Sequence, residues 1–395
     1  MRQNPLGRPI RVLSVYPTFW PRQGGGQMVL AAIAQGLSTQ IVNTVLTRRL
    51  HDTPAHQDYE FLSVERFWNP SPAVWKEYAT GIHHIPFWKR SVVTGIDIFC
   101  ALAPLRRLMA ENDVVHLHFP LPLGISVLLV RALVKRPVVV TVHGNADVYE
   151  LPRAMAPLTR AVLQRADAVV SVSEDLGEYL RKEMAVANVT VIPNGVDVDL
   201  FQPGHGVRPG LTLFSVSRLV PRKNTHVLIA AVEQLVEEGA PLTLIIAGTG
   251  PEEERIGQLA ARLPGIVQFI GFIDEARKRQ ILSETDVFVQ LSIREGLSIA
   301  TLEALASGVP CAVSNLPGVR EPIITGRTGW YVDNPEDVQS VVATLRQVLA
   351  ERDRLPEMKR HCRQVAIDRY GLQAMCESYW NVFTNLVKDG RDRRR

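Results

Sequence analysis

Asp286-Val-Phe-Val-Gln-Leu-Ser-Ile-Arg-Glu-Gly-Leu-Ser-Ile-Ala-Thr-Leu-Glu-Ala-Leu-Ala-Ser-Gly-Val-Pro-Cys311 decides the fold. Val287 to Leu291 is an apolar run too short for a helix, so it reads as a buried strand. Ile293 to Leu297 is a turn carrying Arg294, Glu295 and Gly296. Ser298 is placed to cap a helix over Ile299 to Ala306, a stretch of good helix formers. Gly308 ends that helix, and Pro310 opens the next short strand, Val309 to Val313. Glu295 therefore sits in a loop at the carboxyl end of a strand. Glu303 lies about one and a half turns into the helix. Between them a helix N-terminus presents N–H groups suited to an anion.

A carboxylate accepts two hydroxyl hydrogen bonds at once, which is what a ribose or hexose diol offers. Glu295-Gly-Leu-Ser-Ile-Ala-Thr-Leu-Glu-Ala-Leu-Ala-Ser-Gly-Val-Pro310 resembles the donor-site motif of the retaining glycosyltransferases of family 4. Leu297 and Ser298 stand where the family usually has Phe and Gly, and the swaps keep one apolar and one small residue. Stripped of its flanks, the acid pair also fits an ordinary helix with a buried glutamate.

Upstream, Thr212 to Val216 reads as a strand, and a helix is expected from about Thr225 to Glu237. Arg218 and Lys223 lie between them, near a strand end and a helix start, where two cations meet a diphosphate together. They resemble the family's Arg-x4-Lys pair, with Arg222 as a further cation; two solvated loop cations are the plainer reading. Gly248-Thr-Gly250-Pro follows the strand Thr243 to Ala247 and resembles a family turn that shapes the nucleotide pocket. By the same resemblance, main-chain groups near Phe272 and Ile273 contact the base. Downstream, Ser314-Asn-Leu-Pro-Gly-Val-Arg-Glu321 and Gly329-Trp-Tyr-Val332 are also family-like.

The first half shows the same strand–loop–helix alternation. Ile10 to Tyr16 is a strand, Gln23-Gly24-Gly25-Gly26 a glycine loop, and Met28, Val29, Ala32, Ile33 and Leu37 recur at helical spacing. That is the usual first unit of a doubly wound sheet. Gly25 and Gly26 resemble the family's N-terminal glycine pair beside the donor diphosphate; a plain tight turn is the alternative. No Gly-x-Gly-x-x-Gly fingerprint aligns here. His143 ends the strand Pro137 to Val142, and ligands gather at such strand ends. Thr-Val-His143-Gly resembles a family segment whose histidine hydrogen-bonds the donor sugar. His116, His118 and His143 also invite a reading as metal ligands, but no carboxylate completes a recognisable spacing. Pro193-Asn-Gly-Val-Asp197 resembles the family's junction segment, so Asp197-Val-Asp199 is read as a tied turn and not a metal site. Gln202 to Gly210 is expected to be the linker.

Residues from about 51 to 105 are expected to be irregular and aromatic-rich. One reading makes them a cap that buries its rings. The other makes them an acceptor or lipid-facing surface, since Trp75, Trp88, Lys89 and Arg90 suit a headgroup boundary. Met375, Tyr379, Trp380 and Phe383 give a last helix one apolar face. Arg391 to Arg395 form a short basic tail.

At 395 residues the chain is long enough for two cores. A net charge of +4 argues against a nucleic-acid binder. The 4 cysteines show no paired spacing and read as reduced thiols of a cytosolic protein. No signal peptide and no bilayer-spanning segment is expected.

The resemblance spans nearly the whole chain. It implies the α/β GT-B architecture: two Rossmann-like doubly wound domains facing each other across a cleft. Residues 1–205 would be the acceptor side, 206–370 the nucleotide-sugar domain, and 371–395 a helix returning to the first domain plus the tail. The implied reaction moves a hexosyl unit from a nucleotide-diphosphate sugar to a hydroxyl acceptor with retained anomeric configuration. The acceptor would be a glycan, a lipid-linked saccharide or a small molecule. Arg218, Lys223 and the helix start after Gly296 would carry the charge of the departing diphosphate, without metal or other cofactor. Glu295 would hold the sugar, Glu303 the ribose, and His143 would orient the sugar. Gly296, Leu297 and Ser298 would line the donor. The competing readings are another GT-B enzyme such as a sugar-nucleotide epimerase, a nucleotide-cofactor oxidoreductase, and a non-catalytic sugar-nucleotide binder.

Overall fold

The computed structural model describes residues 6–20, 24–50, 52–70, 87–144, 155–204 and 210–392. The chain forms two compact units. The first joins Met1–Pro193 to Gln373–Arg395, and the second is Asn194–Leu372.

In the first unit the strands are β1 (Ile10–Val15), β2 (Ile41–Arg48), β3 (His56–Tyr59), β4 (Leu62–Phe67), β5 (Val114–Leu117), β6 (Val138–Val142), β7 (Ala168–Ser171) and β8 (Val189–Val191). They lie in the order β3-β4-β2-β1-β5-β6-β7-β8. All pairings are parallel except β3 with β4. β5 and β6 are buried at every position, as expected of strands with helices on both faces. Strand order reverses between β1 and β5, so the loops after them part and leave a crevice at the carboxyl ends.

The stretch expected to be irregular is in its described part regular. Residues 56–67 form the β3–β4 hairpin, and Phe87–Glu111 is a 25-residue helix. A buried ion pair fixes that helix to the sheet. Arg48 at the end of β2 donates from Nε to Asp97 at 2.7 Å, and Asn69 adds a 2.6 Å bond to the same carboxylate. Asp97, a break in an apolar run when read in sequence, is thus an anchor. Tyr59 and Phe61 pack edge-on against Trp20, whereas Trp68 and Phe99 are exposed. Trp75, Lys76 and Tyr78 lie outside the described residues, as does the end of the basic tail.

The helix Leu372–Asp392 buries Met375, Cys376, Tyr379, Trp380, Phe383, Leu386 and Val387, one stripe at helical spacing. From Gln373 onward it belongs to the first unit.

In the second unit the strands are β9 (Leu211–Val216), β10 (Leu242–Ala247), β11 (Val267–Phe269), β12 (Val287–Gln290), β13 (Cys311–Ser314) and β14 (Gly329–Val332). They form one parallel sheet in the order β11-β10-β9-β12-β13-β14. Its order reverses between β9 and β12. The helices expected at Thr225–Glu237 and Ile299–Ala306 have those bounds.

The division between units falls at Pro193–Asn194, ahead of the Gln202–Gly210 stretch. The residues in between are tied to the second unit. Asn194 Nδ2 donates to the Leu297 carbonyl at 2.7 Å. Val196 bridges to Gly371, and Arg363 donates to the Phe201 carbonyl at 2.7 Å. Asp197 Oδ1 accepts from the amides of Asp199 and Leu200 at 3.0 and 2.9 Å, which closes a turn. Residues 205–209 lie outside the described residues.

Candidate active site

The second unit concentrates charged groups at its switch point, where the loops after β9 and β12 meet. Lys223 Nζ donates to Glu295 Oε2 at 2.9 Å. Two further bonds hold the loops in register. The Ile293 amide donates to the Arg222 carbonyl at 3.0 Å, and Asn224 Nδ2 donates to the Leu291 carbonyl at 3.1 Å. Asn224 is buried with φ 52°, a left-handed turn its residue type tolerates, and it delivers the chain into the helix Thr225–Glu237. Arg218, on the same loop as Lys223, is exposed. Among the described residues its guanidinium makes no side-chain bond.

Ser298 caps the helix after Glu295. Its Oγ accepts from the Thr301 amide at 3.3 Å and donates to Gln290 Oε1 at 2.7 Å. Thr301 Oγ1 donates to the same oxygen at 2.9 Å, and Gln290 Nε2 donates to Ser292 at 3.2 Å. A buried amide at the end of β12 thus sets the start of the helix that bears Glu303. The cap occupies the Thr301 amide, so fewer donors remain at this N-terminus than the bare helix start implies. Gly296 and Leu297 form the turn between, with Leu297 buried.

Glu303 is nearly fully buried and takes a 2.5 Å bond from Lys278 on the helix Glu275–Ser283. Burial pushes its carboxyl above the ordinary range, and the lysine opposes that shift. Lys278 also lies 5.5 Å from the centroid of the Phe201 ring. The loop after β10 packs on the loop after β9. Gly248 has φ +134°, and a Cβ there would stand 1.8 Å from the Ser217 carbonyl oxygen. Gly250 fits against Leu219 in the same way. These two glycines serve contact between protein loops. Phe272 is exposed just beyond β11, and Ile273 is partly buried.

At the strand ends of the first unit lies a row of neutral histidines instead. His143, after β6, lies with Nε2 3.0 Å from Nδ1 of His118, which follows β5. His116 lies 3.9 Å from His118 between ring centroids, tilted by 36°, and its Nε2 meets Thr141 Oγ1 at 2.8 Å. Thr141 in turn lies 3.2 Å from the Tyr379 hydroxyl. Burial pushes His143 down to about 4 and His116 down to about 3. Gly26 faces this row: a Cβ there would stand 2.5 Å from the Tyr16 hydroxyl and 3.5 Å from the His143 ring. Gly25 opens the helix Gly25–Gly36. Among the described residues no group of three or more His, Cys, Asp or Glu is placed to hold a metal ion.

The structure thus joins Lys223 to Glu295 directly and places Arg218 on the same loop. It places Ser298 and Glu303 on one capped helix and gives Glu303 its own cation. Sequence reading missed Lys278, Gln290, Asn224 and Tyr379. Gln290 left a trace, as the one polar residue within an apolar strand; Lys278 left none.

Two parallel-sheet α/β units with charged loops at the switch point define a Rossmann-type ligand-binding protein of two domains. Comparison with known proteins makes this particular. Residues 205–369 match the model of the group 1 glycosyl transferases, and residues 23–200 match that of glycosyltransferase family 4. Over 283 residues the chain is 30% identical to a GDP-mannose-dependent alpha-(1-6)-phosphatidylinositol monomannoside mannosyltransferase of Mycobacterium tuberculosis, covering 64% of this chain and 71% of that one. The sucrose-phosphate synthase of Thermosynechococcus elongatus superposes with a TM-score of 0.80 at 20% identity, over 96% of this chain and 100% of that one. Anabaena HepE, solved with UDP, gives 0.74 at 17% identity over 95% and 100%. The chain belongs to glycosyltransferase family 4, the group 1 glycosyl transferases, and has the GT-B fold. It is a glycosyltransferase. No helix among the described residues is long and apolar enough to cross a membrane.

Proposed function

We propose that the chain transfers a hexosyl unit from a nucleotide-diphosphate sugar to a hydroxyl acceptor, with retention and without a metal ion. The Lys223–Glu295 pair at 2.9 Å is the observation that carries this reading. It sets a cation for the diphosphate beside a carboxylate for the sugar hydroxyls, at the sheet's switch point. When the glycosyl unit leaves, negative charge grows on the diphosphate. Lys223, Arg218 and the amides at the start of the Ile299–Ala306 helix stabilise it, which is the task a divalent metal performs elsewhere. Glu295 then keeps its second oxygen for the sugar. Glu303, held by Lys278, is assigned the ribose, and the exposed Phe272 with Ile273 the base. Gly248 and Gly250 shape the pocket wall, and Gly25, Gly26 and His143 are the first unit's contribution to the donor.

Retention is the outcome the family resemblance implies. Glu295 pairs with Lys223 and Glu303 with Lys278, and the acceptor hydroxyl is assigned a front-face attack, giving its proton to the departing phosphate oxygen. The acceptor is assigned as a glycan or lipid-linked saccharide. The mannosyltransferase relative acts on a phosphatidylinositol mannoside by its name, which places GDP-mannose first among donors to try and makes peripheral membrane contact part of this proposal.

The test is transfer from GDP-mannose, UDP-glucose and ADP-glucose to a panel of hydroxyl acceptors, with the anomeric proton followed by NMR. A product of the donor's own configuration, formed in excess chelator, is expected. An inverted product, or turnover abolished by chelator and restored by a divalent ion, overturns the mechanism.

A further inference from the structure

His118 has no role in the reading above, yet it is fully buried against His143. The two rings are nearly parallel, 8° apart, with Nδ1 of His118 3.0 Å from Nε2 of His143. His118 Nε2 is buried and has no hydrogen-bond partner. Burial holds both rings neutral near pH 7. One proton therefore lies between them, and there are two ways to place it. If His143 donates, His118 carries its other proton on Nε2, a buried N–H with no acceptor. If His118 donates, the buried atom is a bare ring nitrogen. Orphaned buried N–H groups are the rarer and more costly of the two.

We propose that His118 is a positioning residue that donates from Nδ1 to His143 Nε2 and holds His143 in the tautomer protonated on Nδ1. In that tautomer the proton of His143 lies on Nδ1, and no basic nitrogen is left for taking a proton from the acceptor. The rest of the row supports the orientation. His116 lies against His118 with its ring tilted by 36°, Thr141 on β6 bonds His116, and the Tyr379 hydroxyl of the last helix bonds Thr141. The inference rests on His143 contacting the donor, but the tautomer is readable without any ligand.

The experiment is a two-bond proton–nitrogen NMR correlation on the full chain with nitrogen-15 histidine, with His143 assigned by loss of its signals in His143→Asn. An unprotonated Nε2 and a protonated Nδ1 on His143 are expected. A protonated Nε2 in the wild-type chain overturns the proposal outright, whatever the variants do. His118→Asn retains a side-chain N–H close to the place of Nδ1 and is expected to keep the pattern. His118→Leu is expected to mix the tautomers and to raise the donor KM about tenfold, the worth of one hydrogen bond, with His118→Asn restoring it. An unchanged His143 spectrum in folded His118→Leu sinks the inference, and so does an unchanged KM. Full turnover in His143→Ala counts instead against the assignment of His143 to the donor, and leaves the tautomer to the spectra.

Discussion

The two units gather polar groups at the ends of their parallel sheets, with opposite chemistry. In the second, cations and carboxylates face one another across two loops, and Arg218 is left exposed and without a side-chain partner among the described residues. In the first, after β5 and β6, neutral rings take that place: His118 bonds His143, and His116 bonds Thr141, which in turn bonds the Tyr379 hydroxyl. A charged site suits a ligand whose charge changes during reaction. A neutral, interlocked one suits a ligand that must be oriented and not neutralised.

Four substitutions or conditions break or sharpen this contrast. The buried Arg48–Asp97 pair of the first unit should be the most sensitive spot for stability. Asp97→Ala strands Arg48 in the core and should cost about 3–5 kcal/mol. Hydrogen exchange should show the loss in the first unit's strands while the second unit keeps its protection; uniform loss in both would blur the division. In the second unit, Lys223→Ala should lower kcat about 10²–10³-fold with little change in melting temperature, because the missing charge matters as the diphosphate departs. Near-normal turnover would remove Lys223 from the mechanism.

Acid should separate the units next. The buried His116, His118 and His143 of the first unit stay neutral when folded, His143 down to about 4, whereas the unfolded chain takes up protons from about 6.5 downward. In that window the unfolded state binds more protons, so stability falls as pH falls. Exchange protection in the first unit should drop between those values by on the order of 3 kcal/mol for His143 alone, since each tenfold difference in proton affinity is worth about 1.4 kcal/mol. A flat profile would mean the rings are not held neutral. The smallest effect is Ser298→Ala, which removes the cap and one partner of Gln290 and should cost about 1 kcal/mol. It should also weaken donor binding; a loss of stability with no change in donor KM would make the cap purely structural.

The contrast also explains what the sequence disclosed. Much of the second unit's charged cluster is written in short contiguous runs, because a strand, its loop and the next helix start supply neighbouring groups. Glu295, Ser298 and Glu303 fall within one nine-residue span, and the helix they define has the bounds its residues imply. Lys278 was illegible because its partner lies 25 positions away and its helix shows no marked apolar face. The first unit's row was harder still. His116 and His118 were visible as alternating strand residues and invited a metal reading. Their brace was out of sight: Tyr379 bonds Thr141 from 238 positions away, and no local pattern announces that contact. Residues 56–67 escaped as a hairpin because β3 is an exposed polar edge strand with little apolar alternation.

The last helix has a consequence for how the chain matures. The second unit is one continuous stretch, so all of its strands have been synthesised by the time Leu372 is made. The first unit must wait: its stripe from Met375 to Val387 is made only after the second unit is complete. A nascent chain arrested near residue 370 would therefore hold every strand of the second unit together with a first unit whose histidine row still lacks its tyrosine brace.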